Sequence, residues 1–312
     1  MSTFTFRVSP AEAGMPVRTL VKSKFHFSAR LMTKIKAQDL LLVNGQRVPG
    51  WRIAQEGDWV VVEKPAEKSF FPPEDIAIQV IYEDEDLLLI NKQAGITVHP
   101  TKGHPDHTMA NGLMKYMQDR GESFKIRFIN RLDMDTSGIL VVGKNSHAQA
   151  ELSRQMRQGL VKKKYLALCS GLIEKETFLI DKAIGRPQDG DVRRAVLAES
   201  EGGYPSQTEG RRLAYYRLPG SGKAVSLVEL TLLTGRTHQI RVHMASCGHP
   251  LLGDALYGGD QSLIQDRQAL HAFYFSCLHP VRQEKIERRC PLPEDLQKLL
   301  KGFAPYRIDG YV

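Results

Sequence analysis

The chain is short of cysteine, of long hydrophobic runs and of acid. Its four cysteines, at 169, 247, 277 and 290, form no Cys-x-x-Cys pair, which argues against a disulfide framework or a thiolate zinc site and for reduced, buried thiols. No apolar run approaches the roughly 20 residues that span a bilayer, and the amino terminus lacks a basic segment followed by an apolar core. A soluble cytoplasmic protein without a membrane partner is expected. Acid is the scarcer charge, with 35 Asp and Glu against 43 Lys and Arg, a formal charge of +8 and a pI near 9.2. That excess favours a polyanion partner, in a salt-dependent way. Lys162 to Lys164, Arg193-Arg194, Arg211-Arg212 and Arg288-Arg289 are candidate phosphate contacts as a set, since any one such pair is usually a solvated face. His99, His104 and His107 cluster in a Pro- and Gly-containing loop without the i, i+4 spacing of a helical metal motif, so neither a metal nor an organic cofactor is expected.

At 312 residues the chain can bury one large core and one small one. The join falls at Pro65 to Asp75 (PAEKSFFPPED), which predicts domains at 1–70 and 75–312. In the first, Val17 to Ile35 is basic with a helical period, Leu41 to Val48 holds an Asn44-Gly45 hairpin turn, and Gly57-Asp58 precedes the strand WVVVE. Two short helices and a small hairpin sheet follow, a small α/β unit. In the second, strands are expected at about 80–91, 126–130, 138–143 and 163–170. Helices are expected at 146–159, where Ala148, Leu152 and Met156 share a face, and at 238–247. This order predicts an α+β domain on a mixed, largely antiparallel sheet. Gln188 to Gln207 is Gly-rich, polar and without period, and reads as a long loop.

The most informative stretch is Asn130-Arg131-Leu132-Asp133-Met134-Asp135-Thr136-Ser137-Gly138, a polar turn between the alternating FKIRFI and the β-branched GILVVG. Asp133 therefore stands at a strand end, on a loop held by a rigid scaffold. Locally, Asp, Thr, Ser and Gly are ordinary turn formers. An aspartic protease loop is excluded, because Ser137 interrupts Asp-Thr-Gly and no second such triplet exists to share a proton.

The whole string resembles the RluA-like pseudouridine synthases, in particular the type acting on large-subunit ribosomal RNA (RluD type), whose signature is His-Arg-Leu-Asp-x-x-Thr-Ser-Gly. Asn130 stands where the family has His, and Asp133 falls on its catalytic aspartate. Five further stretches occur in the family's order: LLINKQAGITVHP from Leu88, with Gln93 for the usual Pro; VKKKYL, placing Tyr165 on the active-site tyrosine; LLTGRTHQIRV, placing Arg241 on the basic partner; GDALYGG; and LHAFYFSCLHP. The resemblance covers residues 75 to 295 or so and implies a sheet with an active cleft across its middle.

It also implies an isomerase that turns uridine into pseudouridine in structured RNA, ribosomal RNA first and transfer RNA second, with no cofactor and no obligate protein partner. The step breaks the glycosidic bond at nitrogen 1, rejoins the base through carbon 5 and removes the proton there. An ionised acid in a dry pocket needs a fixed cation beside it, and a guanidinium suits. Tyr165 would stack on the uracil and sit near carbon 5. Arg131, Lys163, Arg236 and His238 are the expected RNA contacts near the site. Without this context Tyr165 would be a half-buried strand residue, and Arg241 a solvated neighbour of the stripe Ile240, Met244 and Cys247.

The first seventy residues resemble the S-four-like RNA-binding module, through Ser28-x-Arg30, Val43-Asn44-Gly45 and Gly57-Asp58. That likeness implies RNA contacts at Ser28, Arg30 and Asn44, on a module carried by a flexible tether. The competing function is a non-catalytic RNA-binding or ribosome-assembly factor of the same fold. Loss of the aspartate, tyrosine or arginine would mark it, and none is lost.

Overall fold

The computed structural model describes residues 3–218 and 222–308, so the outermost residues of both expected domains lie outside the described residues. The amino-terminal unit runs β1 (Thr3–Arg7), α1 (Val17–Phe25), α2 (Ala29–Ala37), β2 (Leu41–Val43), β3 (Gln46–Arg47) and β4 (Trp59–Glu63). Its antiparallel sheet has the order β1-β4-β2-β3. Helix α1 stops where His26 turns left-handed at φ 50°, and the Ser28 hydroxyl accepts the Leu31 N–H to begin α2. Asn44 (φ 51°) and Gly45 (φ 80°) make the hairpin turn, where two positive φ angles match the strand twist. Val17, Leu20, Val21, Leu31 and Ile35 close over Phe4, Val43, Val60 and Val62 as a separate small core.

The larger unit continues with β5 (Gln79–Glu83), β6 (Leu87–Lys92), α3 (Met109–Asp119), β7 (Arg127–Phe128), β8 (Ser137–Gly143), α4 (Ser146–Arg157) and β9 (Lys162–Ser170). Then come β10 (Thr177–Asp181), β11 (Ile184–Gly185), β12 (Ala195–Val196), β13 (Gln207–Arg217), β14 (Ala224–Leu232), α5 (Gln239–Ser246), β15 (Leu270–Leu278), β16 (Lys285–Arg289) and α6 (Glu294–Phe303). The main sheet follows β10-β13-β14-β9-β15-β8-β6-β5, with β16 on β15 and β7 on β8. Every pairing is antiparallel except β15 with β8, so the α+β, largely antiparallel architecture is borne out.

Both faces of the sheet centre are covered, which is why β8 is buried at every position. One face packs Leu88, Ile90, Leu140, Val142, Tyr165 and Leu230 against α3 and α5; the other packs Leu87, Leu89, Ile139, Val141 and Phe275 against α4. Gly138 has φ 114°, and a side chain there would meet the Ala272 backbone at 2.3 Å, so only glycine fits where β8 meets β15.

Four expectations need correction. The strand at 80–91 is a hairpin, because Asp84 accepts the N–H groups of Asp86 and Leu87 and turns the chain between β5 and β6. The loop at 188–207 carries β12, which pairs with β11. The amino-terminal unit is docked, not loosely tethered. Phe4 and Phe27 set their rings edge-on to His147, with centroids 4.9 and 5.2 Å away. Lys64 pairs with Asp86, and Glu67 joins Lys34 to Arg127. Cys247 is exposed, unlike the other three thiols.

Candidate active site

Asp133 lies in the turn between β7 and β8, and three devices fix that turn. Leu132 is buried in the main core, and the Thr136 N–H donates to the Asp133 carbonyl at 3.1 Å. Asn130 uses its amide as an extra rung on β8, donating to Ile139 O at 3.0 Å and accepting the Val141 N–H at 2.8 Å. An imidazole could not make both bonds in that form, so this chain has a structural use for its Asn. Beneath the turn, the fully buried Lys92 donates to the carbonyls of Gln93, Ile96 and Met134, each at 2.7 Å. Burial pulls the Lys92 pKa down to about 7, against the attraction of Asp135 and Asp133.

Arg241 comes from α5 and is buried, not the solvated neighbour its local pattern allows. Its Nε and Nη2 hold Asp254 in a fork at 2.7 and 2.8 Å, and its Nη1 reaches Asp133 Oδ2 at 3.2 Å. Burial opposes the Arg241 charge, but the bonds and charge of Asp254, with Asp133 behind them, hold its pKa above the usual value. The Tyr257 ring lies 5.0 Å from this guanidinium, and the Tyr257 hydroxyl meets His238 Nδ1 at 2.8 Å. His238 Nε2 is 3.9 Å from Asp133 Oδ2; burial lowers the His238 pKa, against the attraction of Asp133.

Tyr165 projects from β9 into the same place. Asp133, Tyr165 and Arg241 together line a cavity of about 50 Å³, beside an open cleft of about 580 Å³ that also contains Arg131, Asp135, Asp254 and Arg267. Tyr165 is buried, which raises its phenol pKa, and the negative Asp133 adds to that. A larger groove of about 850 Å³ runs over β9, β10, β13 and β14, but contains neither Asp133 nor Arg241. Two of its cations, Lys164 and Arg211, are spent on Glu229.

The other expected RNA contacts divide. Arg131 is exposed at the cleft. Arg236 is exposed, with Nε on Pro205 O at 3.3 Å and its guanidinium over the Tyr204 ring. Lys163 is partly buried next to Gly235, and burial lowers its pKa. Ser28 and Asn44 use their side chains inside the amino-terminal unit: Ser28 caps α2, and Asn44 binds Asp58 at 2.8 Å and the Trp59 N–H at 2.8 Å. Arg30 is exposed on α2.

Asp254, Tyr257 and Lys92 were not anticipated. Asp254 had a readable signal, because a buried guanidinium asked to serve Asp133 needs a second acid to fix it, and GDALYGG supplies one. Among the described residues, Asp84, Asp86 and His279 are the one group spaced like metal ligands. His279 Nδ1 accepts two backbone N–H groups, so Nε2 bears the proton and donates to Asp84 at 2.9 Å. Those atoms are already committed to hydrogen bonds.

Fold and site define an α+β enzyme with a carboxylate, a clamped guanidinium and a buried tyrosine at one cavity. Residues 86–246 match the family described as RNA pseudouridylate synthase, and the chain belongs to that family. It is an isomerase that converts uridine to pseudouridine in RNA. It is 37% identical over 278 residues to the uncharacterized RNA pseudouridine synthase YjbO of Bacillus subtilis, covering 88% of this chain and 95% of that one. It is 32% identical over 318 residues to ribosomal large subunit pseudouridine synthase D of Haemophilus influenzae, covering 96% of this chain and 95% of that one. Among solved structures, human RNA pseudouridylate synthase domain containing 1 superposes with a TM-score of 0.57 at 29% identity, over 75% of this chain and 98% of that one.

Proposed function

We propose that Asp133 is the catalytic residue of this isomerase, kept anionic by Arg241 while Tyr165 faces the uracil. The observation that carries this reading is the 3.2 Å contact from Arg241 to Asp133, made by a guanidinium whose other edge is locked on Asp254. A fixed fork of this kind meets the carboxylate without reorganising during reaction. The carboxylate serves either as a nucleophile or as the anion that steadies charge at the sugar. As nitrogen 1 leaves the sugar and carbon 5 takes its place, the carbon 5 proton must leave; the Tyr165 phenol, held protonated by burial, can accept it only while passing its own hydroxyl proton on to water, so that it relays the proton rather than keeping it.

A stacked base cannot reach a cavity this deep, so the uridine is flipped from its stem or taken from a loop, at a cost of about a few kcal/mol. Arg131, Arg236 and His238 line the cavity and its cleft as RNA contacts, and Lys163, in the neighbouring groove over β9, extends them. Residues 1–70 act as a separate RNA-binding domain of S-four-like type, through Arg30 and its basic neighbours, ahead of the catalytic domain at 75–312. The substrate is ribosomal RNA of the large subunit, with transfer RNA as second candidate, and the enzyme works in the cytoplasm. Similarity to the Haemophilus enzyme along nearly its whole length supports that substrate class.

The test is tritium release from RNA labelled at carbon 5 of uridine, prepared from a strain lacking this gene. Wild type should release tritium, while Asp133→Ala should release none yet bind the RNA with nearly the same affinity. Parallel loss of binding would make Asp133 structural. No release by wild type on RNA it binds would favour the assembly factor.

A further inference from the structure

We propose that His238 donates its Nε2–H to a carbonyl oxygen of the target uracil, and that the Tyr257 hydroxyl keeps the proton on that nitrogen. This rests on Asp133 as the catalytic residue, and it makes His238 a second group that acts on the reacting base.

His238 stands in the left-handed region, at φ 56° and ψ 19°, as the N-cap of α5. That backbone costs energy at a residue with a side chain, and it persists only where the surroundings over-determine it. An N-cap side chain ordinarily accepts a helix N–H, but this imidazole does not. It turns to Tyr257, with Nδ1 2.8 Å from the hydroxyl, which also accepts the Arg194 N–H at 2.9 Å. A neutral ring bonded in this way takes the Tyr257 proton at Nδ1 and carries its own on Nε2; a charged ring carries protons on both. Only a proton on Nδ1 alone would bare Nε2, and it would leave the Tyr257 proton with no acceptor among the described residues.

Nε2 lies 3.9 Å from Asp133 Oδ2, beyond hydrogen-bond reach, and that oxygen already accepts from Arg241 at 3.2 Å. Among the described residues, the side-chain polar atoms buried without a partner are the Thr97 and Ser170 hydroxyls, so Nε2 is not sealed in the wall. It opens on the cavity that His238 lines with Asp133 and Tyr165. Neighbouring donors are committed: Arg241 to Asp254 and Asp133, and the Gln239 amide to Gln207 O and Thr208.

The chemistry has a use for this N–H. When the bond from nitrogen 1 to the sugar breaks, its electron pair stays with the base, and the uracil anion shares the charge with O2 and O4. If Asp133 adds to carbon 6 instead, the displaced pair moves to O4. A donor fixed beside the carboxylate stabilises that charge as it forms. His238 keeps its proton throughout; carbon 5 loses one and nitrogen 1 gains one.

The test uses the full chain and transcripts of large-subunit ribosomal RNA carrying tritium at carbon 5 of uridine. Glycine suits φ 56°, so His238→Gly removes the ring without straining the fold. We expect kcat to fall about 100-fold with RNA affinity within about twofold. Transcripts with 2-thio- or 4-thiouridine present a poor acceptor in place of one carbonyl oxygen. One of the two should slow wild type at least about tenfold more than it slows His238→Gly. Nitrogen-15 NMR should find Nε2 protonated in wild type, and Tyr257→Phe should shift part of that proton to Nδ1 and lower kcat. A wild-type kcat in His238→Gly overturns the proposal, as do thio effects equal in both enzymes, a bare Nε2, or an affinity loss matching the loss of kcat. Asp133→Ala separates the two readings. If it is inactive while His238→Gly keeps wild-type kcat, His238 alone loses its role; if it still releases tritium, the reading of Asp133 falls too.

Discussion

At the scale of single residues, the centre depends on a shared guanidinium. Asp254 lies buried at the wall of the cleft with both carboxylate oxygens turned to Arg241, which it holds by two charged hydrogen bonds. Asp254→Asn keeps the volume but leaves one edge of a buried cation poorly matched, and Nη1 is then free to drift from Asp133. We expect kcat to fall about 100-fold, equivalent to about 3 kcal/mol, while KM stays within about twofold. Steady-state kinetics on one RNA check this; a KM effect without a kcat effect would place Asp254 in binding. Lys92 acts at one further remove. Its ammonium supplies three N–H groups to three carbonyls, one of them Met134 beside Asp133. Lys92→Met should cost about tenfold in kcat with little change in RNA affinity, and a folded variant with wild-type kcat would deny Lys92 any part in holding the turn.

At the scale of elements, the β5–β6 turn is a concentrated electrostatic feature. Burial disfavours the Asp84 charge, yet His279, Tyr82 and the N–H groups of Asp86 and Leu87 hold its pKa far below the ordinary carboxylate value. A depressed carboxylate pKa contributes stability that is complete above the unfolded value of about 4 and is lost as pH falls below it. Urea midpoints of the wild type should therefore drop as pH falls below about 4, while Asp84→Asn starts about 2 kcal/mol less stable and shows a shallower drop. An identical pH slope in both proteins would remove Asp84 from the account. The same turn shows what a sequence hides. Leu87 to Ile90 is apolar at every position because both sheet faces are covered, and such a run shows no edge where the Asp84 turn ends one strand and begins the next. Helix α3 was hidden because Asn111 and Gly112 fall inside it, and Gly112 is there to let Ile76 pack against the helix backbone. By contrast α4, the Asn44-Gly45 hairpin and the Asp133 turn were legible, since each is set by local chemistry. Asp133, Tyr165 and Arg241 could be proposed from ordered motifs, but their common cavity depends on β8, β9 and α5 meeting across the sheet, which no local spacing records.

At the scale of the whole molecule, the question is whether the two units move as one. The join at 65–75 looks like a linker by composition, yet it is fastened along its length. The Ile126 N–H donates to the Ser69 hydroxyl at 2.9 Å, Asn111 donates to Pro72 O at 2.9 Å, and Glu74 receives the His107 N–H at 2.8 Å. Glu67 sits between Lys34 of one unit and Arg127 of the other. Lys68 is exposed in the middle of this segment, so a protease would find its side chain. Cleavage also needs several residues of backbone to leave their partners and enter the enzyme, and these bonds oppose that opening. Limited trypsin digestion of the native protein should therefore leave the Lys68-Ser69 bond intact while exposed lysines elsewhere are cut. Glu67→Gln, which removes the charge shared by both units, should make that bond labile by at least about fivefold, read by mass spectrometry of early fragments. Rapid cleavage at Lys68 in the wild type, leaving two folded pieces, would restore the flexible tether and make the aromatic contact at His147 too weak to orient RNA toward Asp133.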